Sequence, residues 1–412
     1  MMLRRAAIVL ASVIALSACE DTTAVTRRFA VLDDIGEDTW TAVSVGRDHS
    51  CGLKQGGIAF CWGSNQSGQL GTQSSDTVCG SAASQFACSL VPRAVDTGLR
   101  WRAISSGGSH TCGITDTSEA YCWGANGEGQ LADFSRGGPT PVRIATSLSW
   151  TQISAGFNHT CAIRSDNALF CWGSNDRGQT GNGGTSSVAS VGRVQIQGAA
   201  IASVSAGQQR TCARTSIGAV YCWGAVWIRR DGGLEFTRAQ LTPQLVPSSP
   251  AMVRVSVGTL TTCGTDATGF GYCWEANPRG AIGDGTTEGS TVPKRIASNL
   301  EFVQISAGLV QTCAVVVDGV GYCWGDDSFG ELGVHPSLLS ERCSGQNLPC
   351  STVPVPIYGR QKFTMVSTSF GSHTCGVTVR GNLYCWGLGV SGQRGDGTLI
   401  AAQSVPVKVA QQ

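Results

Sequence analysis

The sequence predicts an all-β chain folded as a seven-bladed β-propeller. Three observations carry that prediction. Seven times over, a cysteine is followed ten residues later by a second cysteine and then directly by a tryptophan. The pairs are Cys51 and Cys61, Cys112 and Cys122, Cys161 and Cys171, Cys212 and Cys222, Cys263 and Cys273, Cys313 and Cys323, and Cys375 and Cys385. The tryptophans Trp62, Trp123, Trp172, Trp223, Trp274, Trp324 and Trp386 recur at steps of 61, 49, 51, 51, 50 and 62 residues, a period near 50 with two lengthened steps. A fixed period of that size marks a repeat architecture. Each period holds four short strand-like runs separated by turn signals, the content of one propeller blade. The units fall at about residues 40–100, 101–149, 150–200, 201–250, 251–301, 302–362 and 363–410.

The chain opens on a targeting segment. Arg4 and Arg5 form a basic start, and Ala6 to Leu16 an apolar run too short to anchor stably across a bilayer. The run ends Leu16-Ser17-Ala18-Cys19, which resembles the lipobox of bacterial lipoproteins. That resemblance implies a signal peptide over 1–18 and a lipid-bearing Cys19 at the mature N-terminus. A plain signal peptide cut after Ala18 is the alternative. Residues 19–39 read as a tether between lipid and domain.

Unit three shows the local logic. Ile153 ends an apolar stretch that Gly156 breaks. A second strand is expected from about Thr160 to Ile163, a turn over Arg164 to Asn167 and a third strand from Ala168 to Trp172. Gly173 to Gly183 is a glycine-rich loop, and Val191 to Ile196 supplies the fourth strand. In a hairpin centred on residue 166, Cys161 and Cys171 stand directly opposite, with Cβ atoms near disulfide reach. An exported chain meets conditions in which such thiols oxidise. Zinc is the weaker reading, since two cysteines ten apart on one hairpin leave half a ligand set missing. Alternation along the strand puts each tryptophan on the face opposite its neighbouring cysteine, where it fills the space between adjacent blades.

The unit W-x-x-I-S-A-G-x-x-H-T-C-A-I…Y-C-W-G-x-N-x-x-G-Q-L-G resembles the regulator of chromosome condensation repeat. Its clearest copies are Ile104 to Leu131, Ile153 to Gly181 and Ile305 to Gly333, and the resemblance spans about residues 40–410. It implies a seven-bladed propeller in which the two ends of the chain complete one blade together, here Trp40 to Val45 with Val405 to Val409. The founding eukaryotic member exchanges nucleotide on a small GTPase at chromatin. That activity is not expected here, given the export signal, the disulfides and the lack of a basic tail. The same fold also forms secreted bacterial inhibitors that bind β-lactamases through one face, and these are binders, not enzymes.

Charge agrees. Only 14% of residues are charged and the formal net charge is +1, so the chain has no electrostatic footprint for a phosphate backbone, and nucleic acid is not an expected partner. His49, His110, His159 and His373 hold one repeat position, filled by Arg210, Thr261 and Gln311 in units four to six. A catalytic histidine would not recur once per blade, so these read as structural, bonded to backbone near the strand start. No catalytic set, metal site or cofactor is expected. The Gly-Asp-Gly-Thr segments at 283–286 and 395–398 read as tight turns rather than calcium loops.

Function is expected where the repeat is interrupted. Unit one carries an insertion, Thr72 to Leu90, with Cys79 and Cys88. Unit six carries another, Val334 to Ser351, with Cys343 and Cys350. Both end in Cys-Ser-x-Val-Pro, so they arise at one place in the blade, emerge on one side of the ring and flank unit seven. Local pairing within each insert is expected, with pairing between inserts as the alternative. In unit four, Trp227, Arg229, Arg230, Phe236 and Arg238 replace the G-x-N-x-x-G-Q loop, an exposed aromatic and arginine composition suited to a binding hot spot. The expected function is that of a monomeric, lipid-anchored scaffold of the bacterial cell envelope that binds another protein. A carbohydrate-binding module of the envelope or extracellular matrix is the alternative.

Overall fold

A computed structural model describes residues 38–411, apart from 76, 82, 134–136, 146, 231–232, 344–346 and 369, and the side chains of 228–235 and 237. The candidate lipid site Cys19 and the leader lie outside the described residues.

Seven antiparallel sheets are present, each built from one contiguous stretch of chain. Blade three runs Trp150–Ala155, His159–Arg164, Leu169–Gly173 and Val188–Arg193, hydrogen-bonded in that order. The first strands of all seven blades contact one another in cyclic order, so they are innermost and the fourth strands lie at the rim. The fourth strand of blade three begins three residues earlier than the sequence suggests, because the ladder slips between Cys171 and Gly173 to bring Val188 opposite Gly173.

In every hairpin the two cysteines are directly opposed in register. All seven pairs are disulfides. Cys51 is bonded to Cys61, Cys112 to Cys122, Cys161 to Cys171 and Cys212 to Cys222. Cys263 is bonded to Cys273, Cys313 to Cys323 and Cys375 to Cys385. The two insert pairs close locally, Cys79 with Cys88 and Cys343 with Cys350. The seven apolar clusters sit at the seven junctions between blades. In the first, Cys51 and Cys61 of blade one face Trp101 and Trp123 of blade two. In the second, Cys112 and Cys122 face Trp150 and Trp172 of blade three. Cys263 and Cys273 of blade five likewise face Phe302 and Trp324, and Cys313 and Cys323 of blade six face Phe363 and Trp386. In the last, Cys375 and Cys385 of blade seven face Trp40 and Trp62 of blade one. Disulfide and indole thus alternate around the ring, as the strand alternation requires, and the seven repeat tryptophans are at most 1% exposed.

One serine per first strand ties the ring together. Its Oγ accepts from a backbone N–H of the next blade: Ser44 from Ser106, Ser105 from Ala155, Ser154 from Ala206, Ser205 from Val257, Ser256 from Ala307, Ser306 from Thr368, and Ser367 from Val45, at 2.9–3.2 Å. The last of these closes the circle.

Closure differs from the expectation. Trp40–Val45 pairs with His49–Lys54 in blade one, whereas Ala402–Lys408 completes blade seven. The two ends therefore do not share a blade. Because the repeat begins on its own innermost strand, the seventh junction is made of the same contacts as the others, including a 2.9 Å bond from Trp40 N to Gly381 O.

Candidate functional site

The connection from third to fourth strand carries almost all of the variation between blades. In blade one it holds the strand Thr77–Ser81, and in blade six Arg342–Cys343, each added outside the fourth strand. Cys88 pairs with Ser64 and Cys350 with Asp326, one residue past the glycine that follows the tryptophan in both blades. In blade four the two strands simply continue, as Val220–Arg230 and Gly233–Leu245, with pairing out to Arg230↔Gly233. The same connection emerges on one face of the ring in every blade, so all three elaborations share that face.

In the other blades this connection leaves its own sheet and seats itself at the next junction. At junction one–two, His49 Nε2 lies 2.9 Å from Thr111 Oγ1 of blade two. Thr111 donates to the Gln69 carbonyl at 2.8 Å, and Trp123 Nε1 donates to the same carbonyl at 3.0 Å. Since the hydroxyl proton is committed, the imidazole proton sits on Nε2. The hydroxyl–carbonyl–indole set recurs as Thr160–Gln130–Trp172, Thr211–Gln179–Trp223, Thr312–Ala281–Trp324, Thr374–Glu331–Trp386 and Ser50–Gln393–Trp62. His110, His159 and His373 take the place of His49 at three of these junctions. The histidines are therefore structural, but their partner is a hydroxyl of the next blade rather than backbone at their own strand start. Burial holds all four well below the usual imidazole range, at about 3.

Junction four–five is built differently. Blade four has no such loop among the described residues, and among them no carbonyl reaches Trp274, whose buried Nε1 is without an acceptor. Arg210 stands where blades one, two, three and seven have histidine, and it forms an ion pair with Glu275 of blade five. Glu275 takes the glycine position after the tryptophan. Its φ is 85°, in the left-handed region that glycine fills elsewhere, as Gly63 does at 99° and Gly124 at 101°. A Cβ at Gly124 would lie 2.6 Å from Ser109 O and 2.8 Å from the His110 Cα of its own hairpin, and 3.2 Å from the Gln69 Cα of the neighbouring loop, so the position favours glycine, and blade five carries glutamate there where that loop is replaced. The Glu275 carboxylate substitutes for the missing carbonyl toward Thr262, whose hydroxyl donates to Oε2 at 2.9 Å. Arg210 Nη1 also donates to Ala225 O at 2.9 Å. Burial drives both partners toward neutrality, Glu275 up and Arg210 down, and their attraction opposes it.

What remains is a cleft of about 270 Å³, lined among others by Trp227, Arg238, Gln240, Val246, Trp274 and Thr291. Of the sequence candidates, Trp227 and Arg238 line it. Trp227 and Phe236 are half-buried rather than exposed, because the segment is a hairpin that puts them opposite each other, ring centroids 5.4 Å apart. Phe236 also lies under Arg177 of blade three, 4.6 Å from its guanidinium carbon. Arg229 and Arg230 pair through their backbone near the hairpin tip, and their side chains lie outside the described residues. Arg210, Glu275 and Trp274 complete the site. Glu275 stands where the other six blades have glycine after the tryptophan and Arg210 where four have histidine, so each departs from the repeat in the sequence, which does not show that they meet. Both Gly-Asp-Gly-Thr segments are turns, with Asp284 and Asp396 each accepting from the threonine two residues on.

A closed ring of seven such blades, each carrying the Cys-Trp mark and six of them the Ser-x-Gly mark, defines a repeat propeller of the chromosome-condensation-regulator class. The chain belongs to the regulator of chromosome condensation (RCC1) repeat family. Its family models match residues 40–69, 101–130, 150–179, 201–225 and 366–393, and 56–114 and 118–163. The chain is 31% identical to the ultraviolet-B receptor UVR8 of Arabidopsis thaliana over 386 residues, 89% of this chain and 83% of the receptor. Human WBSCR16 shares the fold at a TM-score of 0.72 and 22% identity, covering 86% of this chain and 94% of that one. Prp20p of Saccharomyces cerevisiae, described with its binding to Gsp1p and histones, does so at 0.72 and 19%, covering 91% and 88%.

Proposed function

We propose that this protein is a lipid-anchored, monomeric scaffold of the bacterial cell envelope that binds another protein through the face carrying the third-to-fourth-strand connections. One observation carries the reading: the Cys79–Cys88 insert, the Cys343–Cys350 insert and the blade-four hairpin share that face of an otherwise regular ring. Bracing a loop before it binds lowers the ordering cost of association. The anchor rests on the Leu16 to Cys19 segment, and the oxidising compartment on nine disulfides among the described residues. Protein binding on this fold has a precedent in Prp20p, which is also described in complex with Kap60. A glycan platform needs a free aromatic face, whereas Trp227 and Phe236 are half-buried and pack edge to face, with Arg177 over the Phe236 ring, which favours the protein reading over the carbohydrate one.

In-cell crosslinking of the full chain, followed by identification of what it captures, tests the proposal. Replacing Trp227, Arg229 and Arg230 together is expected to abolish the main crosslink. Unchanged capture removes the hairpin from the proposed surface. Recovery of Cys19 without lipid on the mature protein overturns the anchor.

A further inference from the structure

We infer that the cleft at junction four–five is an empty seat for an extended peptide segment of the partner, one that presents a free backbone carbonyl next to an aliphatic side chain. The inference rests on the docking reading above and names the chemistry of what docks.

The other six junctions show what the seat fits. Each is filled by a tetrapeptide from the preceding blade: Gly68-Gln69-Leu70-Gly71, Gly129-Gln130-Leu131-Ala132, Gly178-Gln179-Thr180-Gly181, Gly280-Ala281-Ile282-Gly283, Gly330-Glu331-Leu332-Gly333 and Gly392-Gln393-Arg394-Gly395. The second residue gives its carbonyl to the indole and the hydroxyl. The third, from Leu70 to Arg394, is at most 2% exposed. The fourth passes so close to the indole that a Cβ on Gly71 would lie 2.9 Å from Trp123 Nε1. Leu70 packs there with Cys61, Val95 and Trp123.

At junction four–five the same walls stand with no loop tetrapeptide between them among the described residues. Cys222, Val246 and Trp274 are the counterparts of Cys61, Val95 and Trp123, and all three line the cleft. Among the described residues, their apolar cluster holds none in the place of Leu70, Leu131, Ile282 or Leu332. Among the seven repeat tryptophans, Trp274 alone has an Nε1 with no acceptor among the described residues. It is 1% exposed and its Nε1 is closed to solvent, so a visiting carbonyl reaches the donor only once the side chains that cover it move aside. A buried N–H left unpaired costs about 1–3 kcal/mol, a cost that a visiting carbonyl removes. Glu275 has already taken over the hydroxyl of Thr262, so an incoming carbonyl has the indole alone to satisfy. At the rim, Arg238 and Gln240 on the hairpin and Thr291 on blade five offer hydrogen bonds to the flanking peptide backbone.

The probe is supplied by the chain itself. A fluorescent, end-capped peptide of residues 65–72, Asn-Gln-Ser-Gly-Gln-Leu-Gly-Thr, is titrated with the full mature protein and followed by anisotropy. Saturable binding is expected, weakened about tenfold or more when the peptide carries Leu70→Asp, since that buries a charge in an apolar seat. Trp274→Phe in the protein keeps the ring and removes the donor, and should weaken binding about three- to tenfold. In ¹⁵N-tryptophan spectra of wild-type protein, the resonance lost in Trp274→Phe should be the one that shifts on titration. No binding, or equal binding of the wild-type and Leu70→Asp peptides, overturns the inference; the peptide comparison needs no altered protein. Thr291→Trp, at the exposed rim, separates the two proposals. If it abolishes both peptide binding and partner capture, the partner uses the seat. If capture survives Thr291→Trp but is lost on replacing Trp227, Arg229 and Arg230, the docking face stands and the seat inference falls.

Discussion

Arg210 of blade four and Glu275 of blade five form a buried ion pair, at the positions where blade one has His49 and blade two Gly124. Neither substitution is tolerable alone. Arginine without Glu275 is a buried charge without a counter-ion. Glutamate without Arg210 is a buried carboxylate on a backbone conformation that favours glycine. Arg210→Met or Glu275→Gln is therefore expected to cost roughly 3–5 kcal/mol. The double variant should cost clearly less than the sum, because removing both charges leaves no unpaired one. Denaturant unfolding of the four species with disulfides intact measures the coupling, and additive losses would refute it.

The hairpin and insert disulfides should behave differently. Cys161→Ala with Cys171→Ala removes a bridge inside a blade and exchanges buried sulfur for a void, so a loss of about 2–4 kcal/mol is expected. Cys343→Ser with Cys350→Ser frees a loop outside the fourth strand of blade six. Its expected effect on unfolding is small and its effect on partner capture large, because the braced loop loses its preorganisation. The reverse order of effects would place that insert in the scaffold rather than on the binding face.

Much of this was legible because it is periodic. Ten-residue spacing placed both cysteines of each pair at one rung, and strand alternation put each indole on the other face. Interactions that span a repeat were not legible in the same way. A serine recurs two residues before the Gly of each Ser-x-Gly segment, up to Ser306, and again at Ser367, but its acceptor role lies with a backbone N–H of the next blade, 50 to 62 residues away and, for Ser367, at the other end of the ring. The histidines showed their structural nature by recurring, yet their partner hydroxyl sits in the neighbouring unit. Arg210 and Glu275 each depart from the repeat on their own, and nothing in a linear reading joins residue 210 to residue 275. Chain closure escapes a linear reading for a related reason: the repeat frame can begin on any strand, and the ladder shows that it begins on the innermost.

Acid should weaken the ring through the four buried histidines. Their folded-state values of about 3 lie below the ordinary 6.5, so the unfolded chain binds more protons in between. The stability they contribute is present above pH 6.5 and lost as pH falls toward 3. His159→Gln, which imports the residue type of position 311, keeps a side-chain donor without the charge. It should flatten the decline between pH 6.5 and 4 in proportion to one group of four. A variant melting curve parallel to wild type over that window would show that the imidazole is not what acid attacks.

Alkali should weaken blade six through carboxyls that replace amides. Asp327 and Glu331 occupy the positions of Asn65 and Gln69 in the loop, and burial raises them to about 7 and about 8, with neighbouring Asp326 adding to both. Asp327 accepts from Leu332 N at 2.9 Å and Glu331 Oε2 from Phe329 N at 2.7 Å, as the amide oxygens do elsewhere. Glu331 Oε1 is buried without a partner among the described residues, where Gln69 places a donor on Ser64. Protonated, the carboxyls supply that missing hydrogen. The folded state therefore binds protons more tightly than the unfolded chain, and the stabilisation, complete below about pH 4, is lost as pH rises through 7 and 8. Asp327→Asn with Glu331→Gln restores the amides and should match wild type at pH 5 but melt several degrees higher at pH 9. Ionisation must also loosen junction six–seven, because the Glu331 carbonyl receives Thr374 and Trp386. Amide exchange in the first turn of that loop should accelerate at pH 9 in wild type beyond the ordinary base-catalysed rise and not in the double variant. Equal melting temperatures at both pH values would mean that these carboxyls ionise without cost to the fold.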